Sequence, residues 1–184
     1  IMAGIIKVNQ YQDFNGNTIF TSDGSGNLTT QEINYPAFHV NLSSDQSLSD
    51  NVTVKVPFDR VKFDTDNAYD TTNYRFTCPT GKAGKYFFYH DVKSGGDGNN
   101  LSLVDQNSAQ FRLNGSNLNS GGSDYRNNPV LSSNCQGSMI IDLSAGDYVE
   151  IYGRVNVNTS TGYFLSGETS TPDLTHFGGY RIGS

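Results

Sequence analysis

The feature that most constrains the fold is a strand-like segment whose large side chains point in both directions. Residues 76–92 pass from a glycine-containing turn into a run of four consecutive aromatic residues. Successive side chains of a β-strand point to opposite faces, so Tyr86 and Phe88 lie on one face and Phe87 and Tyr89 on the other. A strand with one wet face would alternate apolar with polar residues. The pattern therefore predicts that the domain's own core covers one face and a second copy of the chain covers the other.

The composition favours an all-β protein. The chain has 184 residues and a mass of 20.1 kDa, enough for one domain with a sizeable core plus an additional small segment. Glycine is frequent, at 20 residues, and only 16% of residues are charged, which is typical of short strands joined by polar turns. The number and spacing of strand patterns predict a two-sheet jelly-roll sandwich. The predicted strands are 36–42, 52–57, 59–64, 74–78, 85–92, 101–105, 109–113, 138–143, 147–153, 163–166 and 175–182, and residues 114–128 are predicted to form a polar surface loop.

Residues 1–34 are predicted to form an N-terminal arm, and residues 35–184 the jelly-roll domain. Two short strand patterns flank Asn15-Gly16-Asn17, which is typical of a hairpin turn, and a flexible glycine- and serine-rich hinge is predicted at 22–27. Two strands alone are marginally stable in water, so the arm is expected to dock on another protein. The alternative is that these strands extend the main domain. The residues expected to anchor the arm are Ile6, Val8, Tyr11, Ile19 and Phe20.

Charge and cysteine content exclude several classes of function. The net charge is −6, and Lys and Arg are scattered singly, so nucleic acid and anionic membranes are not expected partners. No apolar segment approaches the roughly 20 residues that cross a bilayer, and no signal-peptide pattern is present, which favours synthesis in the cytosol. Cys78 and Cys135 match no metal-binding spacing and are expected to be free thiols.

The sequence contains no recognisable catalytic motif. Its three histidines, His39, His90 and His176, occur without a Gly-x-Ser-x-Gly or His-Glu-x-x-His pattern. Packing or hydrogen-bonding roles are therefore expected for His90 and His176. The chain is predicted not to be an enzyme and to need no cofactor.

Two loops contain candidate ligand-binding residues. Asp64, Asp66 and Asp70 could supply oxygen ligands to calcium, but their spacing is not that of an EF-hand, and a solvated polar turn is the favoured interpretation. Tyr125, Arg126 and Asn127 could contact a glycan or a protein, because an aromatic ring beside amides suits the face of a sugar. An ordinary surface turn is again the competing interpretation.

From Pro36 onward the chain resembles the C1q-like domain of the C1q/tumour-necrosis-factor superfamily. The resemblance spans about residues 35–182, and its strength lies in the order of several motifs. In chain order they are Pro36-Ala37-Phe38, Val61-Lys62-Phe63-Asp64, Asn67-Ala68-Tyr69-Asp70, Phe76-Thr77-Cys78-Pro79 with Gly84-x-Tyr86-x-Phe88, Leu101-Ser102-Leu103-Val104, Leu143-x-x-Gly146-Asp147-x-Val149 and His176-Phe177-Gly178-Gly179-Tyr180.

This resemblance implies a ten-stranded jelly roll and a compact homotrimer packed about a three-fold axis, without enzymatic activity. The chain departs from animal members of the family because it lacks a Gly-X-Y stalk and tryptophan. Aromatic residues are expected to divide between the core and the three-fold contact, and the sequence does not say which face is which. These residues are Phe38, Tyr86, Phe87, Phe88, Tyr89, Tyr148, Tyr152, Phe177 and Tyr180.

The N-terminal arm resembles the start of structural proteins of marine tailed bacteriophages. The similarity lies in Ile6-Lys7-Val8-Asn9, Gly16, Ile19 and Ser22-Asp23-Gly24-Ser25-Gly26. Together with a trimerising jelly roll, it favours a virion protein, assembled in the host cytoplasm and displayed as a head decoration, head fibre or tail-fibre component. The arm would contact other virion proteins, and the particle-borne domain could contact a host-surface glycan or protein. The alternatives are a soluble glycan- or protein-binding module and, as a third class, a glycan-cleaving enzyme, for which no carboxylate pair is assigned.

Overall fold

β-Strands form the regular structure in the part of the chain that the computed structural model describes. The described residues are 8–30, 35–96, 102–159, 161–166 and 174–183. Within them there is no helix, and hence none of the length and apolar character that a bilayer span requires. The chain divides into two compact units, residues 1–35 and 36–184. The prediction of an all-β fold is confirmed.

The first unit contains a three-stranded antiparallel sheet, the N-terminal sheet. Its strands are β1 (Gln10–Gln12), β2 (Thr18–Ser22) and β3 (Leu28–Thr30), in that order. The predicted turn at 15–17 joins the first two strands, and the Asp13 carboxylate accepts backbone N–H groups of Asn15 and Asn17 at 2.9 and 2.8 Å.

Residues 22–27, which the sequence predicts to be a flexible hinge, form a hydrogen-bonded turn between β2 and β3. Asp23 accepts the backbone N–H groups of Ser25 and Asn27 at 2.7 and 3.2 Å, repeating the arrangement of the first turn. The Asn27 side-chain amide also donates to Asp23, at 2.6 Å. Asp side chains often close turns in this way. The segment is therefore a second tight turn leading into β3.

The second unit contains thirteen strands in its described residues, and they form two further sheets. They are β4 (Ala37–Asn41), β5 (Gln46–Ser49), β6 (Val54–Lys55), β7 (Arg60–Asp64), β8 (Tyr69–Asp70), β9 (Arg75–Thr77), β10 (Gly84–Gly95), β11 (Val104–Leu113), β12 (Ser116–Asp124), β13 (Ser132–Leu143), β14 (Tyr148–Val157), β15 (Thr161–Phe164) and β16 (His176–Gly183). The first sheet has the order β5-β15-β10-β16-β4-β7, with β13 along the other side of β10. The second sheet has the order β12-β11-β14-β9-β8, with β6 also paired to β14. This is the predicted jelly-roll sandwich.

The predicted loop at 114–128 contains a nine-residue strand, β12, so that prediction is wrong. Asn114 and Gly115 have φ values of 51° and 82°, and such a pair with positive φ closes a two-residue hairpin. β12 then pairs with β11 from Leu113↔Ser116 to Gln106↔Asp124. The strand reads as a loop in the sequence because nearly all of its side chains are exposed.

The strands predicted from the sequence also differ from those of the structure in residues 46–57. β5 lies in a stretch with no predicted strand, and the predicted strand 52–57 shortens to Val54–Lys55. The valines at 52, 54 and 56 nevertheless pass from exposed through half-buried to buried, because the chain descends towards the core. Leu101, at the start of another predicted strand, lies outside the described residues.

Aromatic side chains form the centre of the core between the two sheets. Phe38 lies at the middle of this cluster, with its ring centroid 4.9 Å from those of Phe76 and Phe177. Tyr86 and Phe88 complete it from β10, and all five side chains are at most 1% exposed. Cys78 and Cys135 are also buried and have free thiols, as expected from the sequence. Burial raises the pKa of both thiols.

A histidine also lies in this interior. His90 is 5% exposed, its ring centroid is 4.8 Å from that of Phe111, and its buried Nδ1 has no hydrogen-bond partner. Gly137 opposite provides the room, because a Cβ there would lie 2.6 Å from His90 Nε2. Burial lowers the pKa of His90 to about 4, outweighing the opposing effects of the Cys135 backbone and the Asp91 carboxylate.

Truncating Phe88 should destabilise the domain strongly. Phe88→Ala removes a ring in contact with four other core aromatics and leaves a cavity, so we expect a loss of about 3–5 kcal/mol in the free energy of unfolding. Urea unfolding at one fixed protein concentration measures it. Phe14→Ala is the matched control, because Phe14 is fully exposed and its loss should stay within about 0.5 kcal/mol. Equal stabilities of the two variants would contradict the assignment of Phe88 to the core.

The buried histidine should make stability depend on pH. The folded-state pKa of about 4 lies below the ordinary histidine pKa of 6.5, so the unfolded chain takes up a proton first as the pH falls. The free energy of unfolding should therefore decrease between pH 6.5 and pH 4, by on the order of 3 kcal/mol for this group. In His90→Gln this part of the slope should vanish, whatever the variant's absolute stability. Parallel pH profiles for the two proteins would contradict the prediction.

Candidate self-association surface

The two rows of side chains on β10 lie in different environments. Tyr86 and Phe88 point into the core and are fully buried, whereas Phe87 and Tyr89 point out of the sandwich and are half-buried. The outward pair therefore lies on the open side of the first sheet. The sequence predicted two covered faces, and the structure identifies which row belongs to the core.

Neighbouring strands extend the outward row into a continuous surface. Phe87 lies opposite Tyr180 of β16 on one side and Ile140 of β13 on the other. One rung further along, Tyr89 lies opposite Gly178 of β16, which pairs with His39 of β4. His39 in turn lies opposite Phe63 of β7. We call this surface the aromatic face and define it by Phe63, Phe87, Tyr89, Ile140 and Tyr180 with His39 and His176.

The aromatic face is ordered by ring contacts and one hydrogen bond. The ring centroids of Phe87 and Tyr180 are 5.5 Å apart, and those of His39 and Phe63 are 6.2 Å apart in a stacked arrangement. A hydrogen bond of 2.9 Å links His39 Nδ1 to the Tyr89 hydroxyl. Burial, with a smaller effect of Tyr180, raises the pKa of Tyr89.

Much of this apolar surface is open to solvent in the single chain. Ile140 is 59% exposed, Phe63 50% and Tyr180 46%. At one edge, Tyr89 and His176 border a depression of about 440 Å³ that also contains Asp91. Asp91 is itself buried and accepts the side-chain amides of Asn134 and Gln136 at 2.8 and 2.7 Å. A broad apolar surface with a satisfied polar edge is suited to burying area against another molecule.

The nine aromatic residues selected from the sequence lie in three places. Phe38, Tyr86, Phe88 and Phe177 belong to the core, and Phe87, Tyr89 and Tyr180 belong to the aromatic face. Tyr148 and Tyr152 lie on the outer surface of the second sheet, so they are part of neither. Sequence reasoning missed His39, Phe63 and Ile140, which reach the aromatic face only through strand pairing.

The loop candidates for ligand contact are largely engaged within the chain. Tyr125 is half-buried, with its hydroxyl 2.8 Å from Ser133 Oγ. Arg126 pairs with Asp124 at 2.5 Å, and this pairing holds the pKa of Asp124 well below its usual range. Asn127 is exposed.

The three candidate calcium ligands have internal hydrogen-bond partners. Asp64 accepts the backbone N–H of Tyr69 at 2.8 Å, Asp66 accepts the hydroxyl of Thr65 at 2.9 Å, and Asp70 accepts the side-chain amide of Asn73 at 2.6 Å. Within the described ranges, no three His, Cys, Asp or Glu side chains are grouped closely enough to hold a metal ion.

The residues predicted to anchor the arm are mostly exposed in the first unit. Val8, Tyr11 and Ile19 are between 46% and 53% exposed, and Phe20 is half-buried. The rings of Tyr11 and Phe20 stack at 5.3 Å across β1 and β2. Ile6 lies outside the described residues.

Comparisons with known proteins agree on the fold. The family model described as the C1q domain matches residues 37–181. The globular domain of zebrafish complement 1qA protein is 19% identical, with a TM-score of 0.55 over 80% of this chain and 98% of that chain. Murine APRIL at pH 5.0 is 13% identical, with a TM-score of 0.56 over 80% and 99% of the two chains. Eiger TNF from S. frugiperda is 14% identical, with a TM-score of 0.50 over 82% and 92%. No curated protein matches the sequence.

A side chain at Gly178 should disrupt the aromatic face. A Cβ there would lie 2.4 Å from the Tyr89 hydroxyl oxygen and 2.9 Å from the Phe38 carbonyl oxygen. Gly178→Ala should therefore displace Tyr89 from His39 and lower the free energy of unfolding by about 1–3 kcal/mol. Gly183→Ala is the control, because a Cβ there meets nothing within 4 Å. Urea unfolding compares the two, and equal midpoints would show that Tyr89 can move without cost.

Proposed function

This chain belongs to the C1q domain family, and on that premise we propose that it is a non-enzymatic protein that forms a homotrimer through its aromatic face. Domains of this family are generally not enzymes. The observation that carries the proposal is the solvent exposure of Ile140, Phe63 and Tyr180 on one continuous surface. Exposed apolar patches of this kind mark sites of association in soluble proteins.

The geometry of the sheet favours an assembly over a small-molecule site. The aromatic face spreads over five neighbouring strands, β7, β4, β16, β10 and β13, and it is open rather than enclosed. Small-molecule sites are usually concave and bury most of the ligand. In a cyclic trimer each interface joins two different patches of neighbouring copies, and the ring closes without leaving a free patch.

We also propose that this trimer is a structural component of a tailed-bacteriophage virion, displayed as a head decoration, head fibre or tail-fibre component. Support comes from the resemblance of residues 6–26 to the start of marine phage structural proteins. The N-terminal sheet adds to it, because three short strands with exposed Val8, Tyr11 and Ile19 need apolar cover. The arm would obtain that cover from another virion protein.

Light scattering tests the trimer directly. We expect the purified chain to have a mass of about 60 kDa, three times 20.1 kDa. Combining Phe87→Ser with Tyr180→Ser should shift the mass towards 20.1 kDa, because each truncated anchor of an interface costs about 2–4 kcal/mol. Leu118→Ser is the control, since Leu118 is exposed on the second sheet. A monomeric wild-type chain, or a double variant that stays trimeric, would contradict this interface.

Electron microscopy of particles tests the virion proposal. Purified virions of the phage that encodes the chain would be labelled with a gold-tagged antibody against residues 35–184. Label over the capsid is expected for a decoration or head fibre, and label at the tail for an adhesion fibre. Unlabelled particles would contradict the virion proposal while leaving the trimer intact.

A further inference from the structure

Positive charge is concentrated on the outer surface of the second sheet, on the opposite side of the sandwich from the aromatic face. On β14, Tyr148, Glu150 and Tyr152 alternate outward. Arg112 of β11 lies directly opposite Glu150, and Lys55 of β6 lies directly opposite Tyr152. On the other side of β14, Val149 pairs with Phe76 of β9. Continuing this antiparallel register by one residue places Arg75 beside Glu150. Arg154 lies two residues beyond Tyr152 on β14 and therefore points to the same face. We call these four cations the basic patch: Lys55, Arg75, Arg112 and Arg154.

Tyrosine rings, rather than carboxylates, hold the two guanidinium groups nearest the centre of this patch. Arg112 Cζ lies 3.8 Å from the ring centroid of Tyr152, and Arg75 Cζ lies 4.4 Å from that of Tyr148. Across the described ranges, no carboxylate oxygen approaches either guanidinium within 4.0 Å. Stacking fixes the plane of a guanidinium but leaves its charge uncompensated. Arg75 Nε has no hydrogen-bond partner.

The single buried carboxylate at the centre does not neutralise the patch. Glu150 is 4% exposed and is paired with Lys55. A second carboxylate, Asp70, lies opposite Arg75 on β8, but it accepts N–H groups of Thr72 and Asn73. The basic patch thus contains four of the chain's twelve Lys and Arg residues but only two carboxylates, Glu150 and Asp70. The local charge is therefore +2, whereas the net charge of the chain is −6. Such a local reversal of sign favours an anionic partner.

We propose that the basic patch binds an anionic polysaccharide through carboxylate or sulfate groups on successive sugars. The guanidinium fork of arginine matches such groups with two parallel hydrogen bonds. Arg75 and Arg112 lie on strands either side of β14, so their backbones are separated by about 9–10 Å, two strand spacings. The rims of Tyr148 and Tyr152 offer apolar contact between the charged positions.

An extended polysaccharide fits this surface better than an acidic peptide does. The patch lies on the face of a sheet, where the backbone N–H and C=O groups of β14 are already paired with β11 on one side and with β6 and β9 on the other. An extended peptide gains most of its affinity by adding to a free sheet edge. A polysaccharide needs no backbone partner and can lie flat across the strands. The inference does not depend on the trimer, because no residue of the aromatic face takes part.

Binding measurements on the full chain test the proposal. The probes are polygalacturonate, which carries carboxylates, dextran sulfate, which carries sulfates, and uncharged dextran, each titrated calorimetrically at low and at raised salt. We expect binding to at least one anionic polysaccharide, weakened by salt, and none to dextran. Arg75→Gln combined with Arg112→Gln should weaken binding at least about tenfold, because each variant removes charge-assisted hydrogen bonds.

Two single variants serve as controls, and each removes one positive charge, as Arg75→Gln and Arg112→Gln each do. Lys85→Gln lies at an exposed position of the first sheet, and Arg126→Gln lies in the loop that the sequence suggested for ligand contact. Both should bind as the wild type does. If the double variant melts below the working temperature, the single variants Arg75→Gln and Arg112→Gln replace it.

Several outcomes would overturn the proposal. They are absence of binding to both anionic polysaccharides at low salt, unchanged binding by the folded arginine variants, or loss of binding in Arg126→Gln. Tighter binding of polyglutamate than of either polysaccharide would also overturn it, since the partner would then be an acidic polypeptide.

Discussion

The alternation of side chains along β10 is the constraint on which the rest of the domain depends. This strand pairs with β13 over its full length and with β16 over residues 85–91. Its inward row, with Tyr86 and Phe88, meets the aromatic rings of Phe38, Phe76 and Phe177 and so closes the sandwich. Its outward row forms the middle of the aromatic face. A shift of one residue in register would exchange the two rows, so the same packing that specifies the core also specifies the surface.

Local patterns in the sequence were sufficient to predict the class of fold and the central strands. Alternation and aromatic content are properties of a short segment, so β10 and β14 could be found without knowledge of their neighbours. β12 could not be found by the same reasoning, because almost all its side chains are exposed and no apolar periodicity remains. The Asn114-Gly115 pair was the available signal, since both residues have positive φ in the hairpin. The turn at 22–27 depends in a similar way on one side chain, because Asp23 accepts its backbone N–H groups, whereas the sequence pattern drew attention to the surrounding glycines.

The candidate surfaces were harder to predict than the strands. Tyr148 and Tyr152 share with Phe87 and Tyr89 the outward position on a strand that carries large residues on both faces. The two pairs differ in their neighbours, because Arg75 stacks on Tyr148 and Arg112 stacks on Tyr152, and these arginines come from separate segments of the chain. His39 and Phe63 reach the aromatic face in the same non-local way, through the pairing of β4 with β7. Sequence reasoning therefore identified aromatic strands correctly but could not sort their outer faces into apolar and basic surfaces.

The aromatic face and the basic patch lie on opposite sides of the sandwich, so association through one surface leaves the other free to bind. In the proposed trimer the aromatic faces are covered by neighbouring copies, so the first sheets face the interior of the assembly. The basic patches of the second sheets, carrying Arg75, Arg112 and their stacked tyrosines, then face outward in three copies. Three linked sites can bind one long polymer far more tightly than a single site, provided that the polymer can span them. A single basic patch could therefore bind the polysaccharide weakly while the trimer binds it firmly. Association through the aromatic face would produce the firm binding, because it links three basic patches in one assembly.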